Sequence, residues 1–205
     1  MKKVFILVLL AASVHASEYI IGDTGSNHQA PFYYLTSSTT RLTQIYIAQR
    51  VLGPCTIIDI AWMPYHQSTS GQLSAFKITL FHSTLPEVQG GFSLNYSQYY
   101  DIKEVYNHTN VAFNPVANTW LNFPFDRDYY FNGGPALVIF TTRTAAGTVG
   151  CTTKTGFEYS SGKYLILTGT ESLNVRSRKR HYLRITTGYV GIEPTSLGRI
   201  KTTYK

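Results

Sequence analysis

The chain has 205 residues, of which 43% are hydrophobic and only 14% are charged, well below the roughly 25% charge of typical soluble domains. Tyrosine, threonine, serine and glycine take the place of the missing charge, and β-branched and aromatic side chains fit the pleated surface of a sheet. The formal net charge of +7 is gathered largely in one basic run. The composition therefore favours an all-β protein over a helical one.

The first 16 residues have the pattern of a secretory signal peptide. Met1-Lys2-Lys3 supplies positive charge, an apolar stretch covers 4–12, and Val14-His15-Ala16 supplies the positions that a signal peptidase reads. The apolar stretch is shorter than the about 20 residues needed to span a bilayer. We predict a secreted or cell-surface protein that does not span a membrane, with a formal net charge of +5 once Lys2 and Lys3 are removed.

Shortly after the leader, Asp23-Thr24-Gly25 matches the active-site turn of aspartic proteases. Those enzymes use two such turns, whose two carboxylates share one proton, so a second copy or a symmetric dimer is required. The sequence has no second Asp-Thr-Gly or Asp-Ser-Gly, and Gly22 stands where a dimeric protease needs a hydrophobic residue. We interpret the stretch as a turn.

Segments that alternate or are rich in strand-forming residues predict about nine β-strands, and no window has a sustained helical repeat. In chain order they are 42–51, 57–63, 75–82, 103–113 with a break at Asn107-His108, 119–125, 136–142, 157–159, 164–167 and 182–189. Turn sequences rich in glycine and proline separate them. We predict one domain at 17–190, a two-sheet β-sandwich or jelly roll, followed by a short basic tail at 191–205.

Two further features concern partners and redox state. The basic run Arg176-Ser177-Arg178-Lys179-Arg180-His181, with Arg184 close behind, has side chains of the kind that bind nucleic-acid phosphates. An exported protein seldom meets nucleic acid, so we interpret the run as a solvated turn that leads into a strand and predict no nucleic-acid partner. Cys55 and Cys151 are even in number, and export permits a disulfide between them. Their sequence separation does not say whether they lie within bonding reach, so a bond and two free thiols are both open.

The order of several short motifs carries a resemblance. The motifs are Gly22 to Ser26, Pro31-Phe32, Ile45-Tyr46-Ile47-Ala48, Ile57 to Ile60, Ile78 to Thr84, Val105-Tyr106-Asn107, Trp120 to Phe123, Tyr130 to Gly133 and Ala136 to Phe140. In this order they resemble an uncharacterised β-sandwich module that recurs in exported and surface proteins of Bacteroidetes-like and related environmental bacteria. The resemblance covers roughly residues 19–190, and it implies fold and secretion more than chemistry.

Motifs for catalysis and metal binding are weak. The histidines show no His-x-x-x-His or His-Glu pairing for zinc, neither cysteine has a second ligand at metal spacing, and no Gly-x-Ser-x-Gly elbow is present. Asp126 and Asp128 could lend two oxygens to calcium, which takes six to eight, so we interpret them as turn residues. We predict no catalytic residue, no metal, no cofactor and no enzymatic activity.

Aromatic side chains are the remaining candidates for binding. Tyr99, Tyr100 and Tyr129 lie near predicted turns, and exposed aromatic rings stack on sugar rings through their apolar faces. Tyr99-Tyr100 and Tyr129-Tyr130 are consecutive pairs. The alternative is that one tyrosine of each pair faces the core, because successive strand residues point to opposite faces. Trp62 and Trp120 lie inside predicted strands and are expected in the core.

Taken together, these patterns predict a non-catalytic exported β-sandwich module for surface adhesion or extracellular assembly. One alternative is a carbohydrate-binding module that uses turn aromatics, and the other is a hydrolase with an unrecognised site. The expected partners are polysaccharide or other surface proteins.

Overall fold

The structure, a computed structural model, describes residues 16–22, 26–28, 31–32, 40–48, 52–85, 97–145, 148–157, 166–169, 175–177 and 179–188. The predicted signal peptide, apart from its last residue, and the predicted tail at 191–205 lie outside the described residues. The same is true of Asp23-Thr24-Gly25. The interpretations of these three stretches stay predictions.

The described residues form fourteen β-strands and no helix. In chain order they are β1 (Ser17–Ile21), β2 (Ser26–His28), β3 (Arg41–Ala48), β4 (Cys55–Trp62), β5 (Pro64–Thr69), β6 (Gly71–Ser83), β7 (Tyr99–Phe113), β8 (Leu121–Phe131), β9 (Ala136–Ala145), β10 (Gly150–Phe157), β11 (Ile166–Gly169), β12 (Val175–Ser177), β13 (Lys179–His181) and β14 (Leu183–Gly188). The predicted all-β class is confirmed. Within the described ranges, no helical segment has the length and apolar character that a bilayer crossing requires.

The strands pair antiparallel in three sheets. The front sheet has the order β1-β14-β4-β8, and the back sheet has the order β12-β11-β3-β9-β6-β7. A side sheet is built on β10, which pairs with β13, β2 and β5. Five short strands (β1, β2, β5, β12 and β13) are additions to the predicted pattern of about nine strands. The predicted strand at 157–159 meets β10 only at Phe157, and the rest of it lies outside the described residues.

The front and back sheets enclose one hydrophobic core, which confirms the predicted β-sandwich. Alternate residues of β14 are buried, as expected for a strand with one face on the core. Phe32 lies in the core with its ring centroid 5.1–5.7 Å from the rings of four other aromatic residues, namely Trp62, Phe76, Phe113 and Phe123. Trp62 is buried, as predicted.

Three local predictions are wrong. β7 continues through Asn107-His108 without a break, because both residues pair with β6 along the whole ladder. Asp126 and Asp128 lie in β8 and not in a turn. Ile57 of β4 pairs with Tyr129, and Asp59 pairs with Pro124. The four residues 125–128 therefore face a single residue of β4 and form a bulge that contains both aspartates.

The third correction concerns the basic run. Most of it forms β12 and β13, at the edges of the back and side sheets. Charged side chains are common on edge strands, where they discourage pairing with other chains. The run is therefore strand and not simply a solvated turn.

Both cysteines are free thiols in the structure, and both are buried. Cys55 starts β4 opposite Phe131, whereas Cys151 lies in β10 and donates its backbone N–H to the carbonyl oxygen of Phe32 at 2.8 Å. Burial raises the pKa of the Cys55 thiol to about 11 and that of Cys151 to about 12. Neither thiol is a ready nucleophile at neutral pH, because the thiolate is the reactive form.

Candidate functional site

The three predicted ligand-binding tyrosines do not form one exposed patch. Tyr100 is 37% exposed, but Tyr99 is 7% exposed and Tyr129 is fully buried. The expectation that Tyr99 and Tyr129 are available to a ligand is therefore wrong. In the pair Tyr129-Tyr130 the alternation of the strand turns the first ring inward, and Tyr130 is 48% exposed.

Tyr99 belongs to a second apolar cluster, on the face of the back sheet that points away from the main core. This cluster consists of Leu42, Tyr46, Phe81, Tyr99, Ala136, Val138 and Phe140. The Tyr99 hydroxyl forms a hydrogen bond with the Tyr46 hydroxyl. The centroid of the Tyr99 ring lies 4.6 Å from the centroid of the Phe81 ring. Tyr99 is a packing residue.

Tyr100 and Tyr129 meet at His82, a buried histidine near the end of β6 that is 1% exposed. The His82 ring stacks against Tyr100 with 4.8 Å between centroids and against Phe131 with 5.2 Å. Tyr129 is in hydrogen-bond contact, with its hydroxyl oxygen 2.6 Å from Nδ1 of His82. We call these four residues, with Asp101 and Asn132, the His82 cluster.

Hydrogen bonding fixes the proton on the His82 ring. The backbone N–H of Asn132 donates to Nε2 at 3.1 Å, so Nε2 carries no proton. A neutral imidazole then has its proton on Nδ1, which donates to the Tyr129 hydroxyl oxygen. Burial lowers the pKa of His82, and burial, with a smaller contribution from Asp101, raises the pKa of Tyr129. Both side chains are therefore neutral at pH 7.

A β-bulge brings Asp101 to the same place. Leu80 pairs with Lys103 and His82 pairs with Tyr100, so β7 has one extra residue in this interval. Asp101 takes a left-handed backbone with φ of 51°, and its carboxylate lies 3.8 Å from Nδ1 of His82 and 3.0 Å from Nζ of Lys103. Because protein groups already occupy both ring nitrogens of His82, the cluster fastens one end of the sandwich instead of offering a base to a substrate.

A different arrangement lies on the outer face of the front sheet. The rings of Trp120 and Tyr182 stack with 5.2 Å between centroids and 22° between planes, and Cζ of Arg184 lies 5.3 Å from the Trp120 ring centroid. All three side chains are half-buried. We call this group the aromatic platform. Arginine over an aromatic face is a favourable cation–π contact that also fixes the guanidinium.

Arg184 is held in place across the neighbouring strands. Its Nη1 lies 3.1 Å from a carboxylate oxygen of Glu18 on β1, and its Nη2 donates to the side-chain oxygen of Asn122 on β8 at 2.5 Å. Arg184 pairs with Ala61 of β4, which in turn pairs with Asn122. The small methyl group of Ala61 lets the arginine reach over β4 to Asn122, so contacts from β1 and β8 hold the arginine of β14 in place.

Polar and apolar groups flank the platform on the same face. Asp59 accepts the backbone N–H of Phe123 at 3.1 Å, and its partial burial raises the pKa of its carboxyl. Ile20, which pairs with Arg184, is 55% exposed. The face therefore offers fixed aromatic rings beside hydrogen-bonding groups, an arrangement that can take a ligand with apolar and polar sides.

Sequence reasoning missed this platform because it placed Trp120 inside a strand and in the core. The strand begins at Leu121, and Trp120 is half-buried on the outer face. The signal was present: Leu121 and Phe123 point inward, so the even-numbered Trp120 points outward by strand alternation. The same rule places Tyr182 and Arg184 on the outer face, since the residue between them is buried.

Asp126 and Asp128 were the weak candidates for calcium ligands. Nε2 of His108 donates to one carboxylate oxygen of Asp126 at 2.7 Å, and the backbone N–H of Asn107 donates to the other at 3.1 Å. The hydrogen bond from His108 holds the pKa of Asp126 below its usual range. Asp126 thus covers an amide of β7, the edge strand of the back sheet. In the part of the chain that the structure describes, no group of three or more His, Cys, Asp or Glu side chains is placed to hold a metal ion.

Comparisons with known proteins give one structural likeness. The sequence matches no protein-family model and no curated protein sequence. One similar solved structure is that of the infectious bursal disease virus Gt strain, with 12% sequence identity, a TM-score of 0.18, and coverage of 94% of this chain. This chain spans 47% of the viral chain. The resemblance to exported bacterial modules stays a prediction.

Proposed function

We propose that this protein is an exported, non-catalytic β-sandwich module that binds carbohydrate on the outer face of its front sheet. In this proposal, adhesion or extracellular assembly proceeds through that binding. The observation that supports it is the aromatic platform of Trp120, Tyr182 and Arg184, held by Glu18 and Asn122.

A sugar ring has an apolar face of C–H groups and a rim of hydroxyl groups. The apolar face packs on an aromatic ring, while the hydroxyls need donors and acceptors beside that ring. Trp120 and Tyr182 supply the rings, and Asn122, Arg184 and Asp59 supply the polar groups on the same face. Tryptophan and tyrosine have only two side-chain torsions, so little conformational entropy is lost when a ligand orders them.

The sheet face also fits an extended polymer. Trp120 and Tyr182 come directly before β8 and β14 and lie on the outer face of the front sheet, so successive sugar units of one chain can lie across that face. Stacking contacts of this kind are individually weak, and dissociation constants of about 1 µM to 1 mM correspond to roughly −8 to −4 kcal/mol.

A second candidate is assembly with another surface protein through β1. This strand is at the edge of the front sheet, and its Tyr19 and Ile20 are 41% and 55% exposed. An edge strand with unpaired backbone groups accepts a further strand from a partner. A protein that binds through this edge would lose the interaction in Ile20→Pro, which removes a backbone donor, and would be indifferent to Trp120→Ala.

Affinity electrophoresis through gels that contain single polysaccharides tests the carbohydrate proposal. The gels would contain a neutral β-glucan, a xylan, a mannan or a pectin. We expect at least one to retard the protein, and we expect Trp120→Ala and Tyr182→Ala each to weaken binding about fivefold or more, which corresponds to about 1 kcal/mol.

Tyr65→Ala is the matched control. Tyr65 is 37% exposed but lies on β5 in the side sheet, so this variant should bind like the wild type. Circular dichroism would check that each variant is folded. Normal binding by both platform variants, or failure of every polysaccharide to retard the wild type, would contradict the proposal.

A further inference from the structure

The connection between β8 and β9 joins the two sheets at one end of the sandwich, and residues 132–135 form it. β8 is at the edge of the front sheet, whereas β9 lies inside the back sheet between β3 and β6. The turn is tightly packed. Gly133 has φ of 79°, and a Cβ there would lie 2.7 Å from Pro54; a Cβ on Gly134 would lie 2.7 Å from the Tyr100 hydroxyl oxygen.

Two hydrogen bonds set the shape of this turn. The side-chain oxygen of Asn132 accepts the N–H of Gly134 at 2.9 Å, and the backbone N–H of Asn132 donates to Nε2 of His82 at 3.1 Å. The second bond ties the turn to the inner face of the back sheet. It exists only while Nε2 of His82 is unprotonated, because a protonated imidazole has donors on both nitrogens.

Protonation of His82 would therefore place two N–H donors against each other, Nε2–H of the ring and N–H of Asn132. It would also put a positive charge on a ring that is buried and stacked on Tyr100 and Phe131. An uncompensated buried charge is costly.

The charged and titratable groups around the ring come from β7 and β8. On β7, Asp101 lies 3.8 Å from Nδ1 and attracts an imidazolium, but its carboxylate is shared with Lys103 at 3.0 Å. Lys103 itself repels a second positive charge, and its Nζ lies 5.6 Å from the Tyr129 ring centroid. From β8 the facing group is the neutral Tyr129, and from β7 Tyr100 stacks on the ring. Burial lowers the pKa of His82, and Lys103 adds to the lowering, whereas Asp101 and the side chain of Asn132 oppose it.

We propose that the His82 cluster is a pH-sensitive switch that fastens the turn at 132–135 to the end of the sandwich at neutral pH and releases it in acid. Below the histidine's unfolded pKa of about 6.5, an opened turn lets the ring take a proton in water, whereas the closed turn resists it. Acid thus shifts the balance toward the open turn. The front and back sheets lose one of their connections at this end, and Tyr100 and Tyr129 lose their shared partner.

Amide hydrogen exchange measured by NMR between pH 5 and pH 7 tests the switch. Protection factors correct for the intrinsic pH dependence of exchange. In the wild type we expect the protection of the Asn132 amide to be at least tenfold lower at pH 5 than at pH 7. Protection of the Ile139 amide, in the interior strand β9, should change much less.

His82→Gln is the test variant, because the glutamine side-chain oxygen can accept the Asn132 N–H but does not titrate in this range. We expect its Asn132 protection to be independent of pH. His108→Gln is the matched control: His108 is exposed on β7, and the tenfold change should persist. Equal protection at pH 5 and pH 7 in the wild type, or an unchanged pH dependence in folded His82→Gln, would overturn the proposal.

A measurement on the wild type alone covers the case in which His82→Gln does not fold. Nitrogen chemical shifts of labelled histidine report the tautomer and its titration. We expect His82 to carry its proton on Nδ1 at pH 7 and to become protonated over the same pH range in which Asn132 loses protection. A ring protonated on Nε2 at pH 7, or titration without loss of Asn132 protection, would refute the switch.

Discussion

Replacement of Tyr129 by phenylalanine removes a single oxygen atom from a fully buried side chain. The ring stays in the core, so no cavity large enough to matter is created. What is lost is the hydroxyl that lies 2.6 Å from Nδ1 of His82. Tyr130→Phe is the matched control, because the neighbouring ring is 48% exposed and its hydroxyl has access to water.

The expected magnitude follows from what the hydroxyl leaves behind. His82 is buried, and its Nδ1–H would have no acceptor within hydrogen-bond distance, since the Asp101 carboxylate is 3.8 Å away. The other neutral tautomer would instead set Nε2–H against the N–H of Asn132. A buried polar group without a partner costs about 1–3 kcal/mol, so we expect Tyr129→Phe to lower the free energy of unfolding by about 2 kcal/mol. Surface changes such as Tyr130→Phe stay within about 0.5 kcal/mol.

Urea denaturation at pH 7 measures both variants against the wild type. The slope of the unfolding free energy with urea should be unchanged, since the surface exposed on unfolding is nearly the same. A Tyr129→Phe protein as stable as the wild type would refute the assignment of this hydroxyl to His82, and equal losses in the two variants would refute the difference in burial.

Four further outcomes are expected. Gly22→Ala should lose about 2 kcal/mol or more in thermal unfolding, because φ is 95° and a Cβ would overlap a backbone oxygen of β13; wild-type stability would contradict this. In the native protein, Cys55 and Cys151 should react negligibly with a thiol reagent at pH 8, since burial raises their pKa values to about 11 and 12. Both should react after denaturation without reductant. An absence of reactive thiols in the denatured protein would show a disulfide. Gln44→Leu should raise the free energy of unfolding by about 1 kcal/mol in urea, because within the described ranges neither amide atom of this buried side chain has a hydrogen-bond partner; a loss of stability would count against it. Mass spectrometry of exported protein should find Ser17 or a close neighbour as the first residue, and a protein that retains its leader would contradict export by cleavage.

Strand alternation accounts for most of what the sequence could predict. Within the last part of β8, after the bulge, Tyr129 and Phe131 face inward and Tyr130 faces outward, as alternation requires. The same alternation from Ile78 and Leu80 brings His82 inward on β6. For the consecutive tyrosines, alternation predicts that one ring of each pair faces the core but does not say which one.

The rest depends on pairing partners that lie far apart in sequence. The bulge that carries Asp101 toward His82 exists only because β6 and β7 pair with one extra residue on β7. The reach of Arg184 to Asn122 depends on β14 and β8 lying on either side of β4. No local pattern encodes these long-range registers, so neither the His82 cluster nor the aromatic platform could be assembled from the sequence alone.

The chain has two tryptophans, and they provide the most direct test of the carbohydrate-binding surface. In a ¹⁵N-labelled protein each indole N–H gives one signal, from Trp62 in the core and from Trp120 on the platform. The titrants are hexasaccharides of the same four polysaccharides. On addition of the one that binds, we predict that the Trp120 indole signal shifts in proportion to occupancy while the Trp62 signal stays in place. A Trp120 signal that does not move with any of the four, or a shift confined to residues away from the front sheet, would contradict the account.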